Sequence, residues 1–178
     1  MVSIVIVPHP ALRKISKPVL ETDIKNTEFK RLLQDLSQAL ATRDDGVGLS
    51  APQIAINKRV FVVSGKVFDK NWLNDKSSSQ AKPEDEYFIN PKILKVSKKL
   101  STLEEGCLSI PEIYGMVKRP ATVTMEYFDK NGENQKKKAT GILARIFQHE
   151  IDHLDGILFT DKATDIKRLT ELHDNSEL

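Results

Sequence analysis

Five consecutive residues, His149-Glu150-Ile151-Asp152-His153, set two imidazoles four positions apart with a carboxylate directly after the first. On a helix, residues four apart lie on one face about one turn from each other, so both rings can reach a common metal ion. Glu150 follows His149 by about 100° around the axis, close enough to attend a water on such an ion without being a ligand. A catalytic transition-metal centre commonly takes three protein ligands and keeps one position open. Cys107, the sole cysteine of the chain, is the most economical third ligand. A thiolate with two imidazoles suits zinc or ferrous iron, and stoichiometry does not decide between them. The alternatives are plainer: a lone cysteine is ordinarily a small buried hydrophobe. A purely structural site would need a fourth ligand, for which His9 and His173 are the remaining histidines.

These residues need elements to position them. The histidine pair falls on a helix predicted over 141–155, where both rings share an azimuth with Ile142 and Ile146, a stripe turned toward the interior. Phe29, Leu32, Leu33, Leu36, Ala39 and Leu40 recur at three- and four-residue spacing and predict an amphipathic helix over 22–43, with Asp23 as N-cap. That helix runs into a tight loop at Asp44-Asp45-Gly46-Val47-Gly48. Short β-prone runs lie at 59–63 and 87–90, with a continuation at 93–96. Over 121–129, Val123, Met125 and Tyr127 alternate with polar residues, the period of a half-buried strand. Asn131-Gly132 is a favoured hairpin turn, so 133–138 should return antiparallel. A weaker helix is predicted over 165–173 from Ile166, Leu169 and Leu172, and 64–85 reads as an exposed polar loop around Trp72, with one low-complexity run at Ser77-Ser78-Ser79.

The chain has 178 residues, 39% of them apolar and 29% charged, a composition expected of a globular protein rather than a disordered one. At that length a single core buries roughly 70% of the unfolded surface. The expectation is one catalytic domain over 1–178, with 161–178 as a tail or short helix. Its class is α+β: antiparallel or mixed β-sheets packed around a central metal-binding helix, with the amphipathic helix N-terminal to them. Lys and Arg number 27 against 25 Asp and Glu, so no global charge argues for nucleic acid, and Lys98-Lys99 and Lys136-Lys137-Lys138 read as solvated lysines. No apolar run approaches the roughly 20 residues that cross a bilayer, and one cysteine excludes an internal disulfide framework and suits a reduced compartment.

Three segments stand in the order and arrangement of the signature motifs of peptide deformylases. They are Gly46-Val47-Gly48-Leu49-Ser50-Ala51-Pro52-Gln53, Glu105-Gly106-Cys107-Leu108-Ser109 and Gln148-His149-Glu150-Ile151-Asp152-His153. Pro8-His9-Pro10, Leu12-Arg13 and Pro18-Val19 resemble that family's opening, so the likeness covers about 4–160. It implies an enzyme that removes the formyl group from N-formylmethionine on nascent polypeptides and releases formate. Carried onto this chain, Cys107, His149 and His153 bind one catalytic divalent ion, ferrous iron by expectation, with zinc, nickel or cobalt as substitutes. Glu150 is general base and then general acid, Gln53 and the Leu108 backbone N–H donate to the oxyanion, and Gly46 and Gly48 flank the peptide. The expected partners are formylmethionyl peptides and nascent chains, with transient ribosome association, no membrane, and a monomer in the cytoplasm, or in an organelle after loss of a transit segment.

Beside the resemblance, Ile113, Tyr114, Ile142, Ile146 and Leu108 are candidates for an apolar methionine pocket, their plainer role being core packing. Arg145 lies about 40° from His149 on the wheel, which brings its stem to the pocket edge. Glu105 is placed to anchor the Cys107 loop or to pair with a base such as Arg145, and Asp152 is kept outside the catalytic set. One departure from the family pattern is Ser50 where alanine is usual, tolerable if its hydroxyl finds a hydrogen bond. Two other functions fit the helix motif, a metallopeptidase and a catalytically weakened peptide-binding homologue. The first usually takes its third ligand downstream of the helix, and the Cys107 loop argues against it; the intact ligand set argues against the second.

Overall fold

A computed structural model describes residues 2–69 and 83–169. A 3₁₀ turn at Pro10–Arg13 leads to a one-turn helix, α1 (Glu21–Ile24), and then to α2 (Thr27–Ala41). The helix expected over 22–43 is therefore two pieces. Asn26 is extended, and its side chain accepts the Phe29 N–H at 2.7 Å, so α2 starts afresh there and Asn26 takes the capping role expected of Asp23. The apolar stripe of α2 is buried from Phe29 to Leu40 and packs on Leu49, Val60, Val62 and Ile89.

Eight strands follow: β1 (Gly48–Ser50), β2 (Val60–Val63), β3 (Glu86–Val96), β4 (Leu100–Cys107), β5 (Ile110–Pro120), β6 (Thr122–Phe128), β7 (Asn134–Thr140) and β8 (Thr164–Arg168). Between β7 and β8 runs α3 (Gly141–Leu154). One sheet has the order β1-β2-β3-β6-β7 and the other β4-β5-β8. Every pairing between these strands is antiparallel, and the parallel contact among the described residues is an isolated bridge between Lys17 and Lys58. The β6–β7 hairpin matches its pattern: Val123, Met125 and Tyr127 are buried, and Gly132 turns at φ 79°, a conformation glycine adopts without steric cost.

Two elements differ from expectation. The long β4–β5 hairpin carries no clean two-residue alternation, because Ser101 to Glu104 are polar or exposed and Pro111 and Pro120 interrupt the run. Of the helix expected over 165–173, the part to Arg168 is instead β8, which pairs Ile113 with Arg168 and Tyr114 with Lys167, and 170–173 lie outside the described residues. Edge pairing to β5 outweighs weak helical spacing at Ile166, which stays exposed. Leu172 and His173 lie outside the described residues, as do Trp72 and Ser77-Ser78-Ser79; the nearer part of the expected 64–85 loop is a 3₁₀ turn at Gly65–Phe68.

The helix α3 is central: it touches β1, β2 and β7 of the larger sheet and β5 of the smaller. Phe147 enters an aromatic cluster with Phe61 and Phe88, its ring centroid 4.7 Å from that of Phe88. Ala144, Ile151 and Leu154 extend the same buried face. Packing of this kind fixes which side of α3 turns away from the larger sheet, and that side carries the histidines.

Candidate active site

The two imidazoles on α3 meet the end of β4. Cys107 Sγ lies 3.1 Å from His153 Nε2, and the ring centroids of His149 and His153 are 5.0 Å apart and nearly perpendicular. One ligand atom from each of Cys107, His149 and His153 falls within 4.8 Å of the others. His149 Nδ1 faces Glu105 Oε2 at 3.0 Å, which leaves Nε2 as its free nitrogen. Burial alone pushes the Cys107 thiol up, but His153 and His149 outweigh it and bring it down to about 5. Burial pulls His149 down, and its bonds to Cys107 and Glu105 reverse this and hold it at about 10. A thiolate with two imidazoles is the donor set of a transition-metal centre, where the ion takes the place of the proton. The side chains present therefore fit a divalent ion.

A buried ionic network orients this set. Glu105 accepts from Arg119 at 2.6 and 2.9 Å and from Arg145 at 2.6 Å, while its second oxygen also faces His149. Burial pushes the Glu105 carboxyl up, yet Arg119 and His149 hold it well below the usual carboxylate range. Arg119 also donates to Asp152 at 2.7 Å, and Lys162 donates to the other Asp152 oxygen at 2.6 Å. Arg145 donates further to the carbonyls of Val117 and Ser101. It lines the cavity as expected, but its guanidinium is committed to Glu105 and the backbone, so it supports the site from beneath. Sequence reasoning missed Arg119 and Ser109. Arg119 stands between Lys118 and Pro120 in a strand whose pattern is hidden, so no local signal marked it as buried.

Gln53 sits in a 3₁₀ turn, Ala51–Ile54, directly after β1. Its Oε1 accepts from the Ser50 N–H at 2.8 Å and the Ser50 hydroxyl at 2.9 Å, the bond that the departure at Ser50 required. That orients Nε2 toward Ser109 Oγ at 3.3 Å and Cys107 Sγ at 3.6 Å, so the donor end faces the ligand cluster. Glu150 is 3% exposed, and its Oε2 has no hydrogen-bond partner. Burial, opposed in part by the two imidazoles, raises its carboxyl above the ordinary value. Gly48 makes room for it: a Cβ there would fall 2.7 Å from Glu150 Oε1 and 3.1 Å from Ile146 Cγ2.

These groups open onto a cavity of about 310 Å³. Gly46, Gly48, Gln53, Cys107, Leu108, His149 and Glu150 line it, and so do Ile113, Tyr114, Ile142 and Ile146. His153 lies behind the wall, 1% exposed. Ile142 is 40% exposed at the start of α3 and marks the mouth rather than the interior. His9, the alternative ligand, caps its own turn by accepting the Ala11 N–H at 3.2 Å, and His173 is outside the described residues.

An α+β scaffold that brings a thiolate, two imidazoles and a buried carboxylate with one unpartnered oxygen to one cavity defines the class of mononuclear metallohydrolases. Comparison with known proteins gives the family. The polypeptide deformylase model matches residues 1–169, and the chain belongs to that family. It is 39% identical over 165 residues to the peptide deformylase of Rhizobium meliloti, covering 93% of this chain and 86% of that one. Among solved structures it resembles a probable peptide deformylase from Synechococcus phage S-SSM7, with TM-score 0.76 and 35% identity over 91% of this chain and 99% of that one. A Plasmodium falciparum peptide deformylase complex with inhibitor matches at TM-score 0.74 and 39% identity, covering 91% and 89%.

Proposed function

We propose that Cys107, His149 and His153 hold the catalytic ion of a deformylase and that Glu150 moves the protons of the reaction. The reaction is hydrolysis of the N-formyl group of formylmethionyl nascent polypeptides, with release of formate. The observation that carries the assignment of roles is the convergence of those three ligand atoms beside a buried carboxylate with one free oxygen.

When bound, a divalent ion supplies a water of lowered pKa and polarises the formyl carbonyl. Glu150 takes the proton of the attacking water, the raised affinity of its buried carboxyl suiting it to carry one. As the C–N bond breaks, Glu150 returns that proton to the departing nitrogen. Gln53 Nε2, aimed by Ser50, donates to the oxyanion that develops on the formyl oxygen, joined by the Leu108 N–H. A neutral amide does this without competing with the thiolate for the ion. The outer edge of β1, which pairs with β2 on one side only, offers the Gly46 to Gly48 backbone to an extended peptide. Ile113, Ile146 and Leu108 then receive the methionine side chain.

Ferrous iron is the ion we assign, on the softness of the thiolate and the family resemblance. The reading extends to a monomer that meets nascent chains by transient ribosome contact in the cytoplasm, supported by the nature of the substrate. Anaerobic purification with metal quantification, followed by formate release from formyl-Met-Ala and cleavage of unformylated peptides, tests the proposal. Formate from the first and no cleavage of the second are expected; peptide cleavage without formate would replace the reading with a metallopeptidase.

A further inference from the structure

The segment that follows α3 turns back onto it. Phe159, buried with Leu12, Ile110, Val117 and Leu158, opens a 3₁₀ turn at Phe159–Asp161, and its ring lies within 23° of the His149 plane with the centroids 6.3 Å apart. The turn is pinned at both ends. Asp161 accepts the Leu158 N–H at 2.9 Å and an Arg13 bond at 3.0 Å, while the Lys162 and Ala163 N–H groups donate to the Phe159 carbonyl. Lys162 therefore leaves a fixed backbone, and its ammonium donates to Asp152 Oδ1 at 2.6 Å. The other Asp152 oxygen holds Arg119, so one carboxylate joins a lysine at the surface to a guanidinium that is 4% exposed. From Arg119 the contacts continue through Glu105 to His149 Nδ1. An ion pair between two exposed side chains contributes little. Here the carboxylate is 12% exposed, and without Lys162 its charge would act on Arg119 alone, drawing that guanidinium away from the Glu105 that orients the ring.

We propose that Lys162 is a positioning residue of the ion site: by occupying Asp152 it keeps Arg119 on Glu105, and so keeps the His149 ring turned with Nε2 toward the ion. The inference rests on the reading of Cys107, His149 and His153 as ligands. Lys162 stands further out than Glu105, so its loss weakens ion binding by about fivefold, less than loss of a group that touches a ligand. It does not line the cavity, so its effect on turnover lies in kcat and not in KM.

The test measures three quantities on the full chain: the zinc dissociation constant by chelator competition, the urea midpoint, and kcat and KM for formate release from formyl-Met-Ala. Lys162→Met keeps the stem and removes the charge; it should weaken zinc about fivefold and lower kcat, with KM and the midpoint nearly unchanged. Lys162→Arg should restore zinc affinity and kcat, and Lys138→Met on β7 should leave all three quantities as they are. In an Asp152→Asn background, Lys162→Met should add nothing, because the path through the carboxylate is already cut. Zinc affinity in Lys162→Met equal to that of the unaltered chain, a loss that Lys162→Arg does not restore, or a change confined to KM overturns the proposal. Should Asp152→Asn fail to fold, the arginine rescue decides alone. An unaltered chain that binds zinc but releases no formate overturns the deformylase reading while the zinc comparison still judges Lys162; a chain that binds no zinc overturns both.

Discussion

The two sides of α3 are held by different physics. Toward the five-stranded sheet, Ala144, Phe147, Ile151 and Leu154 are buried among Phe61, Phe88 and Met125, an apolar contact. Toward the three-stranded sheet, Arg145, His149 and Asp152 meet Glu105 and Arg119 in a network of short charged contacts. Apolar packing is non-directional and sets where the helix lies. Charged hydrogen bonds are directional, and a small rotation of α3 would part Arg145 from Glu105 and Asp152 from Arg119. The larger sheet thus supplies stability and the smaller one supplies aim, fixing which nitrogen of His149 is free.

Glu105→Ala gives the largest expected effect. It removes the carboxylate that two buried guanidiniums share and frees the His149 ring, so stability should fall by about 3–5 kcal/mol in urea unfolding and ion affinity by about 10- to 100-fold. Phe147→Ala should cost about 3–5 kcal/mol through the cavity it leaves, with ion affinity in the surviving folded fraction close to unchanged. If it weakened the ion as much as Glu105→Ala, the division of labour between the two sides would fail. A smaller change sharpens the comparison at Gln53: Ser50→Ala removes one of its two donors, worth about 1 kcal/mol, and should lower kcat/KM by about fivefold without moving the unfolding midpoint by more than that energy.

Smallest is the surface pair between Arg13 and Asp161, where Asp161→Asn should cost less than about 1 kcal/mol and less still in high salt. The Arg13 guanidinium holds the Asp161 carboxyl below its ordinary value. Its contribution is therefore present at neutral pH, above the unfolded value, and is lost as pH falls through the lowered folded one. Denaturation midpoints of both chains across acid pH should converge at the low end; a gap that widens on acidification would reverse the sign.

The same division decides what could be read from the amino-acid sequence. The apolar side announces itself by period: Phe29 to Leu40 every third or fourth residue, and Val123, Met125 and Tyr127 every second. The histidine pair was legible because one helix holds both rings, and pairing with Arg145 was one of the two roles the sequence left open for Glu105. Arg119 and Ser109 were not, since their partners stand 14 and 56 residues away, across pairings that no local pattern encodes. The β4–β5 hairpin hid for a related reason: it is held by long-range ladders and buried charge rather than by an apolar stripe. The break at Asn26 shows the limit in the other direction: the apolar period begins only at Phe29, and the cap three residues before it, not Asp23, starts α2.

In the proposed mechanism Glu150 moves protons beside an ion that Cys107, His149 and His153 hold without its help. Ion content and formate release measured together on purified Glu150→Gln test this most directly. An unchanged ion-to-protein ratio and turnover lower by about 10²-fold or more are expected. Formate release near that of the unaltered chain, or loss of the ion along with the carboxylate, would contradict the mechanism.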